Sequence, residues 1–541
     1  VSHKQAKANL ESLHRVFTIP EAPDSTLGQI ERKISENLLG FLQEHVVAVE
    51  RDIDDLERDF SDSRIPDEPM FVSDHTKFVL DSLVANSVHT ASPRFVGHMA
   101  STIPYFMLPL SKIMIALNQN LVKTETSKAF TPLERQVIGM LHRLVYDRED
   151  AFYARWMHDS ENPLGAFGSG GTVANITALW MARNRLLGPK DDFPGVARAG
   201  LYRALRHHGY DGIAVVVSER GHYSLGKAAD VLGIGRDDLV MVPTDNRNKV
   251  RVSEVERACK DLLSRNIKPL AIVGIAGSTE TGSVDPLNEL ADVAAAYGAH
   301  FHVDAAWGGP VLMSETYKHL LNGISRADSV TIDAHKQLYV PMGAGVLLLK
   351  DPTLASSIIH HAQYIIRRGS KDLGATTLEG SRPGMALLVH SALRILGRQG
   401  FSLLIEQGIQ RAASFAKMIQ DDPWFELVSA PETNILTYRL VPPEVQRAPF
   451  SLEAHQLMNQ LIVEMQKVQR ERGQTFVSRT TLTPEVTQHQ PTVVFRVVLA
   501  NPLTTDEILR ELLDEQLELA KLPRHQQLIE QIRAAAGVPP N

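Results

Sequence analysis

HFHVDAAWGGPVLMSETYKHLLNGISRADSVTIDAHK, residues 300–336, contains the pattern that decides the fold. HFHVD (300–304) and SVTID (329–333) are short, β-branched apolar runs, each ending on an aspartate. Runs of this kind read as buried strands, and a polar residue closing such a strand lies at its carboxyl end, where open α/β sheets bind ligands. The interval from Asp304 to Lys336 has room for one helix and one strand, which returns Lys336 to the sheet edge that carries Asp304. Working outward, IAVVVS (213–218), LVMVP (239–243), LAIVGIAG (270–277) and AGVLLLK (344–350) repeat the strand signal. Amphipathic segments such as LNELADVAAAYG (287–298) separate them, so β–α units around a mostly parallel central sheet flanked by helices are expected.

The flanks differ. Residues 34–60 (ISENLLGFLQEHVVAVERDIDDLERDF) space apolar residues as a helix does, and DSRIPDEP (62–69) breaks the pattern. FTPLERQVIGMLHRLVY (130–146) opens with Thr131 as cap, Pro132 in the first turn and Glu134 completing a capping box. Towards the C-terminus FELVS (425–429), TNILTYRLV (433–441) and TVVFRVVLA (492–500) alternate with the helix-like stretch 451–473. The division expected is a helical N-terminal segment (1–125), a large domain (126–384) and a smaller C-terminal α/β domain (385–541).

Composition narrows the class. The 541 residues are 43% hydrophobic, which excludes a mainly disordered chain, and too many for one core. The net charge of −7 gives no footprint of a nucleic-acid binder. A lone Cys259 excludes an internal disulfide and a multi-cysteine metal centre, and no metal is expected. The longest apolar stretch, PYFMLPLSKIMIAL (104–117), is interrupted by Ser111 and Lys112, and VSHKQAKANLESLHRV lacks a secretion signal's apolar core. A cytoplasmic chain without a membrane partner is expected.

Three phosphate or nucleophile motifs almost match and fail. Val173 replaces the third glycine of a dinucleotide loop, Ala228 the Ser/Thr of a P-loop, and Phe167 the first glycine of a nucleophile elbow. What remains is GSGGT (168–172) ahead of the helix TVANITALWMARNRLL (172–187), a helix N-terminus suited to an anion. A plain glycine turn is the rival reading there, a cap aspartate the rival for Asp304, and a solvated lysine the rival for Lys336. Together, an anion cradle, an acid for a pyridinium nitrogen and a lysine amine for a Schiff base follow the order of a pyridoxal-phosphate enzyme.

With PRFVGHM (93–99), LNQN (117–120), FTPLE, FGSGGTVAN (167–175), SERGHYSLGKA (218–228), GSTETGSVDPL (277–287), HVDAAWGG, DAHK and FRVVLANPLTT (495–505), the chain resembles the group II pyridoxal-phosphate decarboxylases of fold type I. Within that family it is most similar to the bacterial aspartate 1-decarboxylase and glutamate-decarboxylase-like branch. The resemblance implies pyridoxal 5'-phosphate as cofactor, Lys336 as the Schiff-base lysine, Asp304 at the pyridine nitrogen, and His222 and Ala306 on the two ring faces. It implies Gly170, Gly171, Thr172 and His335 at the phosphate, Thr279 near the 3-oxygen, and Arg496 at the substrate α-carboxylate. Arg94, Phe95, His98 and Asn118 are expected on the substrate side.

The activity implied is α-decarboxylation of L-aspartate to β-alanine, with L-glutamate to γ-aminobutyrate as the alternative. Decarboxylation of another amino acid such as 2,4-diaminobutyrate, or a C–C lyase reaction, stands behind these. A catalytically silent scaffold is disfavoured by the intact Lys336, Asp304 and His222. A homodimer with its site at the subunit interface is implied. One departure stands out: family members carry a proton-donating tyrosine on a mobile loop, whereas residues 365–380 (IIRRGSKDLGATTLEG) contain none. Tyr364 just before it, His222 or a water is left to serve. GSRPG (380–384) is similar to a segment in related aldehyde-releasing lyases, where the arginine, here Arg382, works near cofactor or substrate.

Overall fold

The apolar runs between residues 165 and 349 assemble one sheet. The structure, a computed structural model, describes residues 28, 29, 32, 51–100, 102–362, 366 and 369–539. The first sheet contains β1 (Gly165–Gly168), β2 (Gly212–Ser218), β3 (Leu239–Val242), β4 (Ile267–Ile275), β5 (His300–Asp304), β6 (Ser329–Asp333) and β7 (Gly345–Leu349). Their spatial order is β1-β7-β6-β5-β4-β2-β3. β7 pairs antiparallel with both β6 and β1, and the remaining pairings are parallel. Each strand from β4 to β7 is almost wholly buried, which is why these segments read as continuous apolar runs without alternation. In register, Ile275 faces Asp304 and Asp304 faces Thr331, so β4, β5 and β6 end nearly level at one edge.

The route from β5 to β6 differs from expectation. No α-helix fills it; three 3₁₀ turns do, at Gly309–Met313, Lys318–Leu321 and Ile324–Arg326. Gly-Gly-Pro opens the segment, Gly323 at φ 102° interrupts it, and a Cβ on Gly309 would stand 2.7 Å from Ile332 Cγ1. Those breakers and that close approach to β6 leave no uninterrupted stretch for a helix. The short strand β1, GAFG, went unpredicted because glycine weakens any strand signal. Its glycine has a packing reason: a Cβ on Gly165 would lie 2.0 Å from the Leu347 carbonyl oxygen.

The second sheet holds β8 (Phe425–Ser429), β9 (Ile435–Leu440), β10 (Ser478–Leu482) and β11 (Thr492–Val498) in the antiparallel order β10-β11-β9-β8. β10, sequence SRTTL, is half exposed and polar, hence invisible to an apolar-run reading. Helix Ala386–Asp421 runs between the cores. Leu388, Val389, Phe401 and Ile405 pack in the core of the first sheet, and Phe415 and Ile419 in that of the second. Gly397, at φ 63° and ψ 172°, breaks it in a backbone conformation that only glycine adopts readily. The boundary expected at residue 385 precedes this shared helix.

The capping box at 131–134 does not form. Helix Phe130–Tyr146 is preceded by Ala129 and has no side-chain cap; Thr131 Oγ1 instead shares a 2.6 Å hydrogen bond with Ser127 Oγ. Glu134 takes both terminal nitrogens of Arg382, with Nη2 donating at 2.5 Å to Oε1. A buried guanidinium left without its carboxylate would cost about 3–5 kcal/mol, against roughly 1 kcal/mol for a cap. Burial of Arg382 therefore decides the rotamer. Of the expected N-terminal helical segment, residues 1–50 apart from 28, 29 and 32, and residue 101, lie outside the described residues. Its described part includes helices Ile53–Asp59 and Val72–Phe78 and exposes Ile65, Tyr105, Ile113 and Ile115. Among the described residues no helix is long and apolar enough to cross a membrane.

Candidate active site

A cleft of about 360 Å³ opens at the carboxyl edge of the first sheet. Five of the seven strands contribute, through their last residue or the turn that follows. β1 leads to Gly170, Gly171 and Thr172, β2 to Arg220 and His222, β4 to Thr279, β5 to Asp304 and Ala306, and β6 to Asp333, His335 and Lys336.

At the β6 side, Lys336 Nζ stands 3.1 Å from Asp333 Oδ2, while Asp333 Oδ1 is buried without a hydrogen-bond partner. His335 Nδ1 pairs with the Ala344 carbonyl at 3.0 Å, and burial lowers its imidazole pKa. Helix Gly171–Leu186 begins beside these groups with no side-chain cap, so its first-turn N–H groups point at the cleft. Gly171 is needed there: a Cβ would stand 2.8 Å from Asp333 Oδ2.

Asp304 is buried and held through both oxygens. Asn175 Nδ2 donates to Oδ2 at 2.8 Å and the Ala306 backbone N–H to Oδ1 at 3.1 Å. With its amide donating, Asn175 accepts through Oδ1 from His302 Nε2 at 3.0 Å, which fixes the proton on that nitrogen. His302 Nδ1 then accepts from Ser329 Oγ at 2.8 Å, and Ser329 Oγ accepts from His300 Nε2 at 2.7 Å. Burial lowers His302, consistent with a neutral ring in this chain. All its donors point toward the Asp304 carboxylate. Asn175 Nδ2 also reaches Ser224 Oγ at 3.1 Å, and that hydroxyl lies 2.8 Å from His222 Nδ1. Desolvation lowers His222, with Asp304 opposing and Lys336 adding to the shift.

Arg496, on β11, does not itself line the cleft and reaches its wall through Thr279. Its Nε donates to the Thr279 carbonyl at 2.6 Å and its Nη1 to the Gly97 carbonyl at 3.1 Å and to Ser478 Oγ at 3.2 Å. Nη2 is buried with no partner. Burial lowers this guanidinium to about 10 against the opposing charge of Glu280. His98 lies close enough that, after desolvation, the charges of Arg496 and Lys336 lower it.

Other expected residues are not brought to the cleft of this chain. Phe95 is buried and stacks on Phe476 with centroids 4.8 Å apart, because an aromatic ring gains most from a dry stacked pair. Asn118 closes helix Met107–Leu117 in the left-handed conformation, a role its short amide suits. Arg94 pairs with Glu511 at the surface. Arg382 is committed to Glu134 and does not line the cleft. Residue 363 and Tyr364, with residues 365, 367 and 368 of the tyrosine-free loop, lie outside the described residues.

Asn175, Ser224, His302, Asp333 and Arg220 were not singled out from sequence. Asn175 had a signal: one helical turn past Gly171, it must face the same way as the loop glycine. His302 had another, since it and Asp304 point to one face of β5 by strand alternation. An anion cradle, a buried carboxylate with a directed donor chain and a lysine amine together fit pyridoxal phosphate. Among the described residues no group of three or more His, Cys, Asp or Glu side chains is placed to hold a metal.

Comparison with known proteins agrees with this chemistry. The model of the pyridoxal-dependent decarboxylase conserved domain matches residues 57–441. Aspartate 1-decarboxylase of Aliivibrio fischeri is 61% identical over 524 residues, covering 96% of each chain. Cysteine sulfinic acid decarboxylase of Mus musculus is 29% identical over 445 residues, covering 81% of this chain and 84% of that one. The crystal structure of mouse CSAD superposes with a TM-score of 0.79 at 26% identity, covering 91% and 97% of the two chains.

Proposed function

The chain belongs to the pyridoxal-dependent decarboxylase family, and from that premise we propose that it removes the α-carboxyl group of L-aspartate, giving β-alanine and CO₂. It is a carboxy-lyase that uses pyridoxal phosphate. The choice of aspartate rests on the near full-length likeness to the A. fischeri enzyme.

Pyridoxal phosphate, when bound, supplies a conjugated ring that accepts the electron pair left on the substrate α-carbon as CO₂ departs. The rest is the work of this chain. The N–H groups at Gly170–Thr172 and the His335 ring hold the phosphate end. Asp304 would hold a proton on the pyridine nitrogen, and its carboxylate is oriented by the hydrogen bonds it accepts from Asn175 and the Ala306 N–H. His222, Ala306 and Thr279 line the cleft, where His222 and Ala306 would hold the two faces of the ring and Thr279 the side of its 3-oxygen. Lys336 would hold the cofactor covalently through its amine, which stands in the cleft beside Asp333. Arg496 offers the unpartnered Nη2 to the substrate α-carboxylate, and His98 lies on the same side. His222, with Nδ1 engaged by Ser224, keeps Nε2 available to hold the proton delivered to the α-carbon.

Residues 126–384 act in this reading as the cofactor-holding unit and 385–541 as the unit that delivers Arg496. The chain works as a homodimer, with the exposed apolar side chains near Ile65, Tyr105 and Ile115 as contact surface. The test is CO₂ release by protein supplied with pyridoxal phosphate, with mass by light scattering on the same sample. Aspartate should give the highest kcat/KM and the mass should be that of two chains. A preference for glutamate or 2,4-diaminobutyrate would overturn the choice of substrate. A monomer at assay concentration would overturn the dimer.

A further inference from the structure

Arg220 leaves the end of β2 and lines the same cleft as Thr279, Asp304 and Lys336. Its side chain is 10% exposed, and its Nε is buried with no hydrogen-bond partner. The Glu219 carboxylate stands 3.8 Å from Nη2, beyond hydrogen-bond distance, and already accepts from Thr244 N and Oγ1 at 3.1 and 2.6 Å. Arg496, whose Nε bonds the carbonyl of the cleft residue Thr279, holds a second buried, unpartnered guanidinium nitrogen. Glu280 feels the charges of both arginines, and its Oε2 is also buried without a partner.

Location separates this group from the phosphate cradle. β2 lies three strands from β6, about 14 Å at ordinary strand spacing, and the cradle is on the far side of β6. Arg220 therefore serves the end of the cleft that Arg496 serves. A buried guanidinium nitrogen without a hydrogen-bond partner opposes folding unless an acceptor meets it on binding, and Arg220 Nε and Arg496 Nη2 are two such atoms. An acidic amino acid brings two carboxylates, and Arg496 accounts for one.

We propose that Arg220 binds the side-chain carboxylate of the substrate and sets the preference for acidic amino acids, an inference that rests on the decarboxylase reading and on Arg496 taking the α-carboxylate. Glu280, between the two arginines, offsets their mutual repulsion before substrate enters. Arg220 is a specificity determinant because a site built around a buried charge rejects a ligand that leaves the charge unmatched.

The experiment uses holoenzyme carrying Arg220→Gln or Arg220→Met, with cofactor content checked by absorbance. Calorimetric binding of succinate and of butyrate provides a readout independent of turnover. Wild type should bind succinate at least tenfold tighter than butyrate, and both variants should lose that difference. For aspartate, KM should rise about 100-fold while kcat changes far less. An intact succinate preference in either variant, with KM within threefold of wild type, would overturn the proposal. So would failure of both variants to fold, which would make Arg220 a structural residue. Wild type that releases no CO₂ from any acidic amino acid would instead overturn the function reading, and the succinate comparison would still decide the role of Arg220.

Discussion

Lys336 shows what a single position gains from its surroundings. A lysine after a strand is ordinarily solvated, yet this one lines a cleft beside Asp333, with Asp304 across from it on the neighbouring strand. Lys336→Ala should lower kcat by on the order of 10³ or more, because among the described residues no other lysine lines the cleft. Mass spectrometry after borohydride treatment checks the assignment directly. Wild type should gain the cofactor's mass and the variant should not; a variant that still gains it would refute the attachment site. At this scale the sequence was legible where chemistry restricts the residue type. An amine, a carboxylate, small backbone-exposing residues and a guanidinium have few substitutes: Lys336, Asp304, Gly170 and Gly171 line one cleft, and Arg496 bonds the carbonyl of Thr279 in its wall. Phe95 and Asn118 were harder to place, since a ring is equally satisfied in a stacked pair and an amide on a helix end. Arg220 was hidden for the opposite reason: nothing near it in sequence distinguishes a cleft arginine from a surface one.

Helix Phe130–Tyr146 carries the lesson for elements. Its opening residues satisfy a local rule for capping, and the structure spends Glu134 on a partner 248 positions away. Local pattern cannot register that contact. The pair is buried on both sides, so Glu134→Gln should destabilise the fold by about 3–5 kcal/mol through the uncompensated Arg382 charge. A cap contribution would be near 1 kcal/mol. Denaturant unfolding distinguishes them, and a loss of 1 kcal/mol or less would show that the pair matters little. The missed strands have equally physical causes. β1 is half glycine because its backbone must approach β7 closely, and β10 is polar because it borders its sheet with one face open. The 3₁₀ path between β5 and β6 kept the inferred sheet edge intact although the helix was absent, because parallel pairing fixes where Asp304 and Lys336 emerge and the connection's form does not.

For the whole molecule, composition bounded the class, and the order of strands supplied the architecture. The net charge of −7 coexists with two arginines that each keep a buried, unpartnered nitrogen, so an overall balance says nothing about local charge. Stability as a function of pH is likewise a global property with a traceable local source. Asp285 is fully buried near the cleft edge, accepting from Val250 N at 2.8 Å and Ile275 N at 2.9 Å. Burial outweighs these two donors and the nearby Lys249, and raises its carboxyl to about 7 from an ordinary 3.8. The native state therefore holds this proton more tightly than the unfolded chain. Its contribution to stability is complete below pH 3.8, declines as pH rises, and is gone above about pH 7. Between pH 5 and 8 the chain should lose roughly 2–3 kcal/mol from this group alone. Asp285→Asn cannot ionise, so its unfolding free energy should follow a flatter course over the same range. It should be lower than wild type at pH 5, where an amide satisfies the two backbone donors less well, and approach or exceed it at pH 8. Chemical denaturation at both pH values measures the difference; equal slopes in the two proteins would locate the titrating group elsewhere.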